Sequence, residues 1–260
     1  MNVDFGQAAS DYARHRAGFP DAFFERLSSF GVGAPGQRVL DLGTGTGTLA
    51  RGLTRRGCSV VALDPSTALV TEARRLDHEA GLTVSYLVAT TERNALADDS
   101  FDVVTAGQCW HWFDRPAAAR EVRRLLVPGG RLVIAHFDWL PLPGNVVEAT
   151  EQLIERHNPD WDLGGGDGFH TEWVSDVTAA GFANAETFSF DVPVPYGHEA
   201  WRGRVRACSG VGAALTADRV ERFDADLKRL LADRFPVEPL AVAHRVFAVI
   251  CLAPDRRPAR

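Results

Sequence analysis

The stretch that decides the fold is Val39-Leu40-Asp41-Leu42-Gly43-Thr44-Gly45-Thr46-Gly47. It begins as a short apolar run typical of a buried strand, and three closely spaced glycines follow at once. Glycine accepts backbone angles that other residues avoid and leaves room beside the main chain, so this loop favours close approach of a ligand. A helix-compatible segment then continues to Arg56. The stretch therefore predicts a strand, a ligand-binding turn and a helix in succession.

A carboxylate ends the next apolar run along the chain. Asp64 follows 59–63 and lies about 20 residues after the glycines, where an acid can accept hydrogen bonds from ribose hydroxyls. Together the two segments predict a crevice for a nucleoside. The GxGxxG spacing of dinucleotide sites would need glycine at position 48, which is Thr48. Asp41 beside the crevice disfavours a pyrophosphate and favours a cationic ligand.

Apolar runs alternate with helix-compatible segments through the first half of the chain. Continuously apolar strands separated by helices predict an α/β protein whose parallel sheet is covered on both faces. Ser66 and Asp114 are predicted N-caps, and the helix after Asp114 is expected to stop at a turn, Pro128-Gly129-Gly130. The five predicted strands are 38–42, 59–63, 84–88, 102–106 and 131–135.

The second half of the chain has a different pattern. Helices are predicted at 145–157 and 171–180, around a glycine-rich loop at 164–168 that we interpret as flexible. Two further strands, 186–192 and 242–252, enclose helical segments between them. We therefore expect an antiparallel pair to complete the sheet.

Composition excludes several classes of protein. The 260 residues are 45% hydrophobic with a net charge of −6, which excludes a disordered chain and disfavours a nucleic-acid partner. No apolar run reaches membrane-spanning length, and the N-terminus carries no hydrophobic signal segment. The four cysteines form no CxxC pair, so we predict no metal site and a reducing, cytoplasmic location.

These segments together resemble the class I S-adenosylmethionine-dependent methyltransferases, in the small-molecule group with a methyltransferase type 11-like domain. The resemblance runs from Arg38 to Phe137 and includes Arg123–Ile134, RRLLVPGGRLVI. It implies a Rossmann-like, doubly wound, seven-stranded sheet, mostly parallel with the last strand antiparallel, and helical lid insertions. The implied organisation is an N-terminal helical cap at 1–37, a cofactor-binding core at 38–137, and a C-terminal half at 138–260 that completes the sheet.

The resemblance also implies roles for single residues toward S-adenosylmethionine. Gly43 and Gly45 would allow close approach of the methionine portion, with Asp41 near its ammonium group, and Asp64 would hold both ribose hydroxyls. The other implied cofactor residues are Pro65 and Ser66 beside the adenine, Thr91 and Glu92 at its amino edge, Gln108 near the methionine portion, and Tyr12 and Arg16 in a segment that closes over it. That N-terminal segment departs from the family pattern, since Ala17 replaces a proline and Phe19 a tyrosine.

Aromatic residues follow the fourth and fifth predicted strands, where ligands of open α/β sheets bind. They can exclude water and pack an apolar acceptor, and His111 and His136 are candidate general bases. The competing interpretation is that the tryptophans fill the core and the histidines are only hydrogen-bonded. The predicted substrate-binding residues are Trp110, His111, Trp112, Phe137, Trp139 and Trp201.

The sequence thus predicts a methyltransferase that moves a methyl group to an oxygen, nitrogen or carbon atom of a small molecule by in-line displacement. Bacterial specialised metabolism is the expected setting. Two alternatives are an NAD(P)-dependent oxidoreductase that uses the same crevice and a non-catalytic protein that binds S-adenosylmethionine. A monomer and a homodimer are equally compatible with the sequence.

Overall fold

The computed structural model describes residues 15–254, so Tyr12 lies outside the described residues. Among these residues, seven strands form one sheet in the order β3-β2-β1-β4-β5-β7-β6. The strands are β1 (Arg38–Leu42), β2 (Ser59–Asp64), β3 (Ser85–Val88), β4 (Phe101–Gly107), β5 (Leu126–Trp139), β6 (Ala183–Tyr196) and β7 (Leu240–Leu252). The helices are α1 (Asp21–Ser29), α2 (Thr48–Thr54), α3 (Thr67–Glu79), α4 (Arg115–Leu125), α5 (Val146–His157), α6 (Glu172–Ala179), α7 (His198–Arg206) and α8 (Ala217–Arg234), with a short 3-10 helix at Trp110–Trp112.

The first five strands are parallel, as the sequence predicted. β1 pairs with both β2 and β4, while β2 pairs with β3 and β4 pairs with β5. The chain therefore builds outward from β1 to β3 and returns to the other side of β1 with β4. In such doubly wound sheets the crevice that binds ligands lies beyond the carboxyl ends of the strands at this reversal.

The last strand runs antiparallel to β5, which confirms the predicted end of the sheet. Ala253 pairs with Gly129 and Gly130 near the start of β5, whereas Leu140, just after β5, donates to Ala243 near the start of β7. β7 lies between β5 and β6 in the sheet.

Side-chain caps start three of the eight α-helices within residues 15–254. Ser66 accepts a hydrogen bond from the backbone N–H of Leu69 at the start of α3, and Asp114 accepts one from Ala117 at the start of α4. Asn145 does the same for α5. Each cap satisfies a backbone donor that the first helical turn leaves without a partner. The predicted caps Ser66 and Asp114 are thus confirmed.

The predicted turn Pro128-Gly129-Gly130 was wrong, because these residues lie within β5. Their pairing with Ala253 keeps them in the sheet, and the register between β4 and β5 shifts at this point. Gly129, with φ of 71°, accommodates the irregularity. β6 is also longer than predicted, with 14 residues.

The chain divides into two compact units, each made of several segments. The major unit holds 18–136, 170–189 and 246–254, and the minor unit holds 15–17, 137–169 and 190–245. The predicted core, 38–137, is therefore nearly all in the major unit, but the unit also takes segments from both of the other predicted parts. No helix within the described part of the chain combines the length and the apolar character that crossing a bilayer requires.

Each unit has its own apolar core. In the major unit, residues of β1, β4 and β5 pack with α4 and α6, and Leu40, Val104 and Ile134 are fully buried. In the minor unit, α5, α7 and α8 pack together through a cluster that includes Trp201 and Phe223.

Candidate functional site

The glycine loop after β1 has the backbone that its sequence predicted. Gly43, Gly45 and Gly47 all have positive φ, at 56°, 56° and 78°, which disfavours any residue with a side chain. A Cβ atom at Gly43 would lie 2.9 Å from the side chain of Cys109, and one at Gly47 would overlap the hydroxyl of Tyr86. The loop is therefore held in one shape by both backbone and packing.

Asp64, at the end of β2, faces this loop. Its Oδ2 accepts a hydrogen bond from the backbone N–H of Gly45 at 2.9 Å, and its Oδ1 accepts one from Ser66 at 2.8 Å. The side chain is buried, and burial raises the pKa of the carboxyl while the two N–H groups partly offset that rise. The structure thus brings together the two elements on which the predicted nucleoside crevice depends.

Asp41, near the end of the neighbouring strand β1, occupies a different environment. One carboxylate oxygen accepts from the Thr44 hydroxyl at 2.6 Å and the other from the Thr105 hydroxyl at 2.7 Å. The residue is 1% exposed, and burial raises the pKa of its carboxyl to about 6. Asp41 therefore ties the glycine loop to β4. Its contact with the cofactor ammonium stays a prediction.

A buried ion pair stabilises the helix that follows the glycine loop. The sequence analysis did not predict it. Arg51 in α2 donates to Asp77 in α3 at 3.0 Å, and both side chains are at most 10% exposed. The backbone N–H of Arg51 also donates to the carbonyl of Gly47. The available signal was Asp77, which falls on the apolar stripe of α3 with Val70 and Ala73.

The residues predicted beside adenine lie on the loop after β3 and at the start of α3. Thr91 is 3% exposed, and its hydroxyl oxygen has no hydrogen-bond partner among the described residues. A buried hydroxyl without a partner is costly, so a polar ligand group here would be stabilising. Glu92 accepts from the backbone N–H of Asp114 at 3.2 Å. Pro65 is exposed, and the hydroxyl of Ser66 is used as the cap of α3.

Two observations concern the predicted methionine end of the crevice. Gln108 follows β4 with φ of 63°, a strained conformation for a residue other than glycine, and its N–H donates to Ala135 at 2.8 Å. Phe19, which stands where the family has tyrosine, lies close to Gly107 at the end of β4: a Cβ there would be 3.2 Å from its ring. Arg16 is half-buried and belongs to the minor unit.

Two of the six predicted substrate residues are core residues. Trp110 is fully buried in the major unit, where its indole N–H donates to Asp176 at 3.1 Å. Trp201 is fully buried in the minor unit, where its indole N–H donates to Thr150 at 3.1 Å. Their large apolar surfaces and satisfied N–H groups account for both positions without a ligand. Contact of these two side chains with a substrate stays a prediction.

The other predicted aromatic residues differ in exposure. Trp112 is 43% exposed in the major unit. In the minor unit, Trp139 is half-buried, donates to Glu151 at 2.7 Å and carries the Arg204 guanidinium 4.6 Å from its ring centre. Phe137 is buried with its ring 5.0 Å from that of His244. For these three residues substrate contact stays a prediction.

The candidate bases belong to a cluster of imidazoles in the major unit. The ring of exposed His111 lies 5.2 Å from that of buried His136, which lies 4.6 Å from His170. His170 stacks on Trp173 at 4.2 Å with an interplanar angle of 7°. Sequence reasoning missed His170, because it lies in a loop remote along the chain from the other two.

The minor unit contains a buried histidine that was also missed. His244 in β7 is 2% exposed and packs between the rings of Phe137 and Tyr196. Burial lowers the pKa of its imidazole to about 4, so the group is neutral at physiological pH. The sequence signal was its position in β7, where every second residue is buried: Val242, His244 and Val246.

Comparisons with known proteins agree with this geometry. A model of the methyltransferase domain family matches residues 40–134. An uncharacterized methyltransferase of Mycobacterium tuberculosis is 41% identical over 132 residues, which are 51% of this chain and 51% of that protein. A ubiquinone biosynthesis O-methyltransferase of Xanthomonas oryzae is 33% identical over 67% of this chain and 72% of its own length. The chain thus spans about half the length of the first curated relatives it matches, and more of the Xanthomonas relative.

A solved structure shares the fold at low sequence identity. Phosphoethanolamine N-methyltransferase 2 of Haemonchus contortus, in complex with phosphomonomethylethanolamine and S-adenosylhomocysteine, superposes with a TM-score of 0.58 and 19% identity. The match covers 96% of this chain and 58% of that one. Since the glycine loop, the acid after β2, the strand order and the Xanthomonas alignment all agree, the chain belongs to the class I S-adenosylmethionine-dependent methyltransferases.

Proposed function

We propose that this protein is a methyltransferase that binds S-adenosylmethionine and methylates a small molecule at an oxygen, nitrogen or carbon atom, releasing S-adenosylhomocysteine. The observation that carries the proposal is the position of the Asp64 carboxylate, which accepts from the N–H of Gly45 within the glycine loop. That contact joins the acid of β2 to the loop of β1, as a single adenosyl ligand would require.

The residues of the crevice fit the cofactor chemically. Each carboxylate oxygen of Asp64 accepts one backbone N–H and has a second lone pair for a ribose hydroxyl. The buried hydroxyl of Thr91 offers a polar partner to the adenine edge. Pro65, Ser66, Glu92 and Gln108 are proposed to complete the site, with Gly43 and Gly45 at the methionine end. The role of Arg16 stays a prediction.

S-adenosylmethionine supplies a methyl group already activated by a positively charged sulfur atom. The contribution required of the protein is to hold the acceptor in line with that group and to exclude water, which is worth several kcal/mol. A carboxylate acceptor would need no base, whereas a hydroxyl, amine or carbon acceptor would. His111 and His136 stay predictions as bases, as does a role in bacterial specialised metabolism.

The relatives narrow the proposed acceptor. The name of the Xanthomonas relative refers to ubiquinone biosynthesis and to methylation of oxygen. By analogy we propose an aromatic hydroxyl compound as the first acceptor to test. The net charge of −6 disfavours RNA or DNA as the acceptor, because a phosphate backbone would be repelled.

Calorimetric titration tests the cofactor first. We expect S-adenosylhomocysteine to bind the wild type and NADH to give no heat. Asp64→Ala should weaken S-adenosylhomocysteine binding about 10- to 100-fold, since hydrogen bonds to a charged group contribute roughly 1.5–3 kcal/mol. Asp21→Ala, which removes an acid that is 93% exposed on α1, is the matched control. Binding of NADH, or equal affinity in Asp64→Ala and the wild type, would refute the assignment.

Turnover is tested separately. Labelled S-adenosylmethionine is incubated with the protein and a panel of phenols, catechols, amines and carboxylic acids, and products are identified by mass spectrometry. An enzyme transfers the label to one class of acceptor. Cofactor binding without labelled product across the panel and a bacterial metabolite extract would favour the non-catalytic alternative.

A further inference from the structure

A small cavity lies in the major unit between residues 18–24 and residues 48–56, which include α2. Its volume is about 220 Å³, which is below the roughly 300–1,000 Å³ of sites for drug-sized ligands. The cavity therefore suits a small ion or a single functional group. None of its lining residues is among those proposed to hold the cofactor. The lining residues are Gly18, Phe19, Asp21, Phe24, Thr48, Arg51, Gly52, Arg55 and Arg56.

Two glycines shape the walls of this cavity. A Cβ atom at Gly52 would overlap the ring of Phe24, so the glycine lets that ring pack directly on the backbone of α2. A Cβ atom at Gly18 would lie 3.8 Å from the Cβ of Thr48, so the chain at position 18 also runs close to α2. Since neither glycine has a side chain, the space beside them is left to the arginines of the lining.

The guanidinium of Arg56 is held in position and still has donors for a ligand. Its central carbon lies 4.4 Å from the centre of the buried Phe24 ring, and its Nη1 donates to the carbonyl of Gly52 at 3.2 Å. Its Nη2 is 3.8 Å from the carboxylate of Asp21, which is too long for a hydrogen bond. A guanidinium has five N–H donors, so most of those of Arg56 have no acceptor within residues 15–254. Stacking on the ring therefore orients the group for an anion.

Arg55 gives the cavity a second positive charge without a partner. Its side chain is exposed and makes no hydrogen bond, ion pair or ring contact within residues 15–254. The third arginine of the lining, Arg51, is already neutralised by its ion pair with Asp77. Two arginines against the single carboxylate of Asp21 leave one net positive charge, in a chain whose net charge is −6. This local excess of positive charge favours an anionic ligand.

We propose that this cavity is a binding site for a phosphate group, carried by inorganic phosphate or by a small phosphomonoester, with Arg55 and Arg56 as the residues that bind it. The planar fork of a guanidinium matches two oxygen atoms of a phosphate group and donates charge-assisted hydrogen bonds to them. The carboxylate of Asp21 does not block the site, because its side chain is 93% exposed and can turn into solvent when the anion binds. The site is a further function of the chain and does not rest on methyl transfer.

Calorimetric titration of the full chain with inorganic phosphate at low ionic strength tests the proposal. We expect one phosphate per chain. Arg55→Gln and Arg56→Gln should each weaken binding about 10-fold or more, because each removes hydrogen bonds to a charged group. Asp21→Asn should tighten binding about two- to fivefold, because it removes a carboxylate that competes for Arg56. Arg120→Gln removes an exposed arginine of α4 outside the cavity and should leave binding unchanged, as the matched control.

A parallel titration with glycerol phosphate separates the two sources of the phosphate group. Tighter binding of glycerol phosphate assigns the site to a phosphomonoester, and equal or weaker binding assigns it to free phosphate. The proposal is overturned if the wild type binds no stoichiometric phosphate of either kind, or if Arg55→Gln and Arg56→Gln bind it as the wild type does. Circular dichroism confirms that each variant is folded, and exposed Arg55 serves if Arg56→Gln is not. Titration with S-adenosylhomocysteine is measured on the same variants, so failure of this site and failure of the proposed function are distinguishable.

Discussion

Replacing Asp41 by asparagine should stabilise the protein at neutral pH. The ionised carboxylate is buried, and within residues 15–254 its side-chain hydrogen-bond partners are the hydroxyls of Thr44 and Thr105. Asparagine keeps the shape and one carbonyl oxygen, and each hydroxyl can rotate to donate or accept. The substitution therefore removes a buried charge and leaves few hydrogen-bonding groups without partners.

The raised pKa of Asp41 determines the magnitude and the sign of the stabilisation expected for Asp41→Asn. Its carboxyl titrates at about 6 in the folded protein and at 3.8 without the fold, and burial is the main cause. The folded state therefore binds protons more tightly, so ionisation destabilises it progressively as pH rises from about 4 to 6. The difference between these two pKa values corresponds to about 3 kcal/mol in the free energy of unfolding above pH 6. Near pH 4 the effect on the free energy of unfolding is small. Hydrogen bonds to the neutral asparagine are weaker than those to the ionised carboxylate, which reduces the stabilisation.

Denaturant unfolding at several pH values between 4 and 8 measures this effect. The free energy of Asp41→Asn minus that of the wild type should rise through the interval and level off near pH 7. Asp102→Asn is the control, because the Arg38 guanidinium lowers the pKa of that carboxyl below this interval. Its difference from the wild type should therefore be negative and nearly constant between pH 4 and 8. Parallel curves for the wild type and Asp41→Asn would refute the reasoning, since they would mean that the fold does not penalise this charge.

Three further predictions concern other buried groups. Gly47→Ala should lower the free energy of unfolding by more than 1 kcal/mol, because φ is 78° and the added Cβ would overlap Tyr86; denaturant unfolding measures it. Arg51→Met should cost about 3–5 kcal/mol by leaving Asp77 buried without its ion pair, and the melting temperature should fall sharply. The lowered pKa of His244 implies stability that is complete above pH 6.5 and lost as pH falls toward 4; His244→Gln should abolish that loss in acid unfolding curves.

Much of the fold was predictable because it depends on local patterns. The apolar run before Gly43 and the acid at position 64 identify two neighbouring strand ends, and the structure joins them by a hydrogen bond. Caps such as Ser66 depend only on the next three residues. The alternation of apolar runs with helix-compatible segments predicts the parallel sheet for the same reason, since strands buried on both faces require continuous apolar runs.

The parts that could not be predicted depend on contacts between distant segments. Pro128-Gly129-Gly130 has the composition of a turn, but pairing with Ala253 keeps it in a strand. Whether a tryptophan is buried also depends on distant residues. The indole N–H of the core residue Trp110 donates to Asp176, which is 66 positions away. His170 could be related to His136 only after α6 had been placed beside β5.

The position of β7 next to β5 has a consequence for synthesis of the protein. A growing chain completes β1 to β5 long before residues 246–254, which pair with the start of β5, leave the ribosome. Until then β5 presents an open edge of backbone donors and acceptors, a surface that invites pairing with another nascent chain. We expect arrested chains that end before residue 240 to be bound by chaperones or to aggregate.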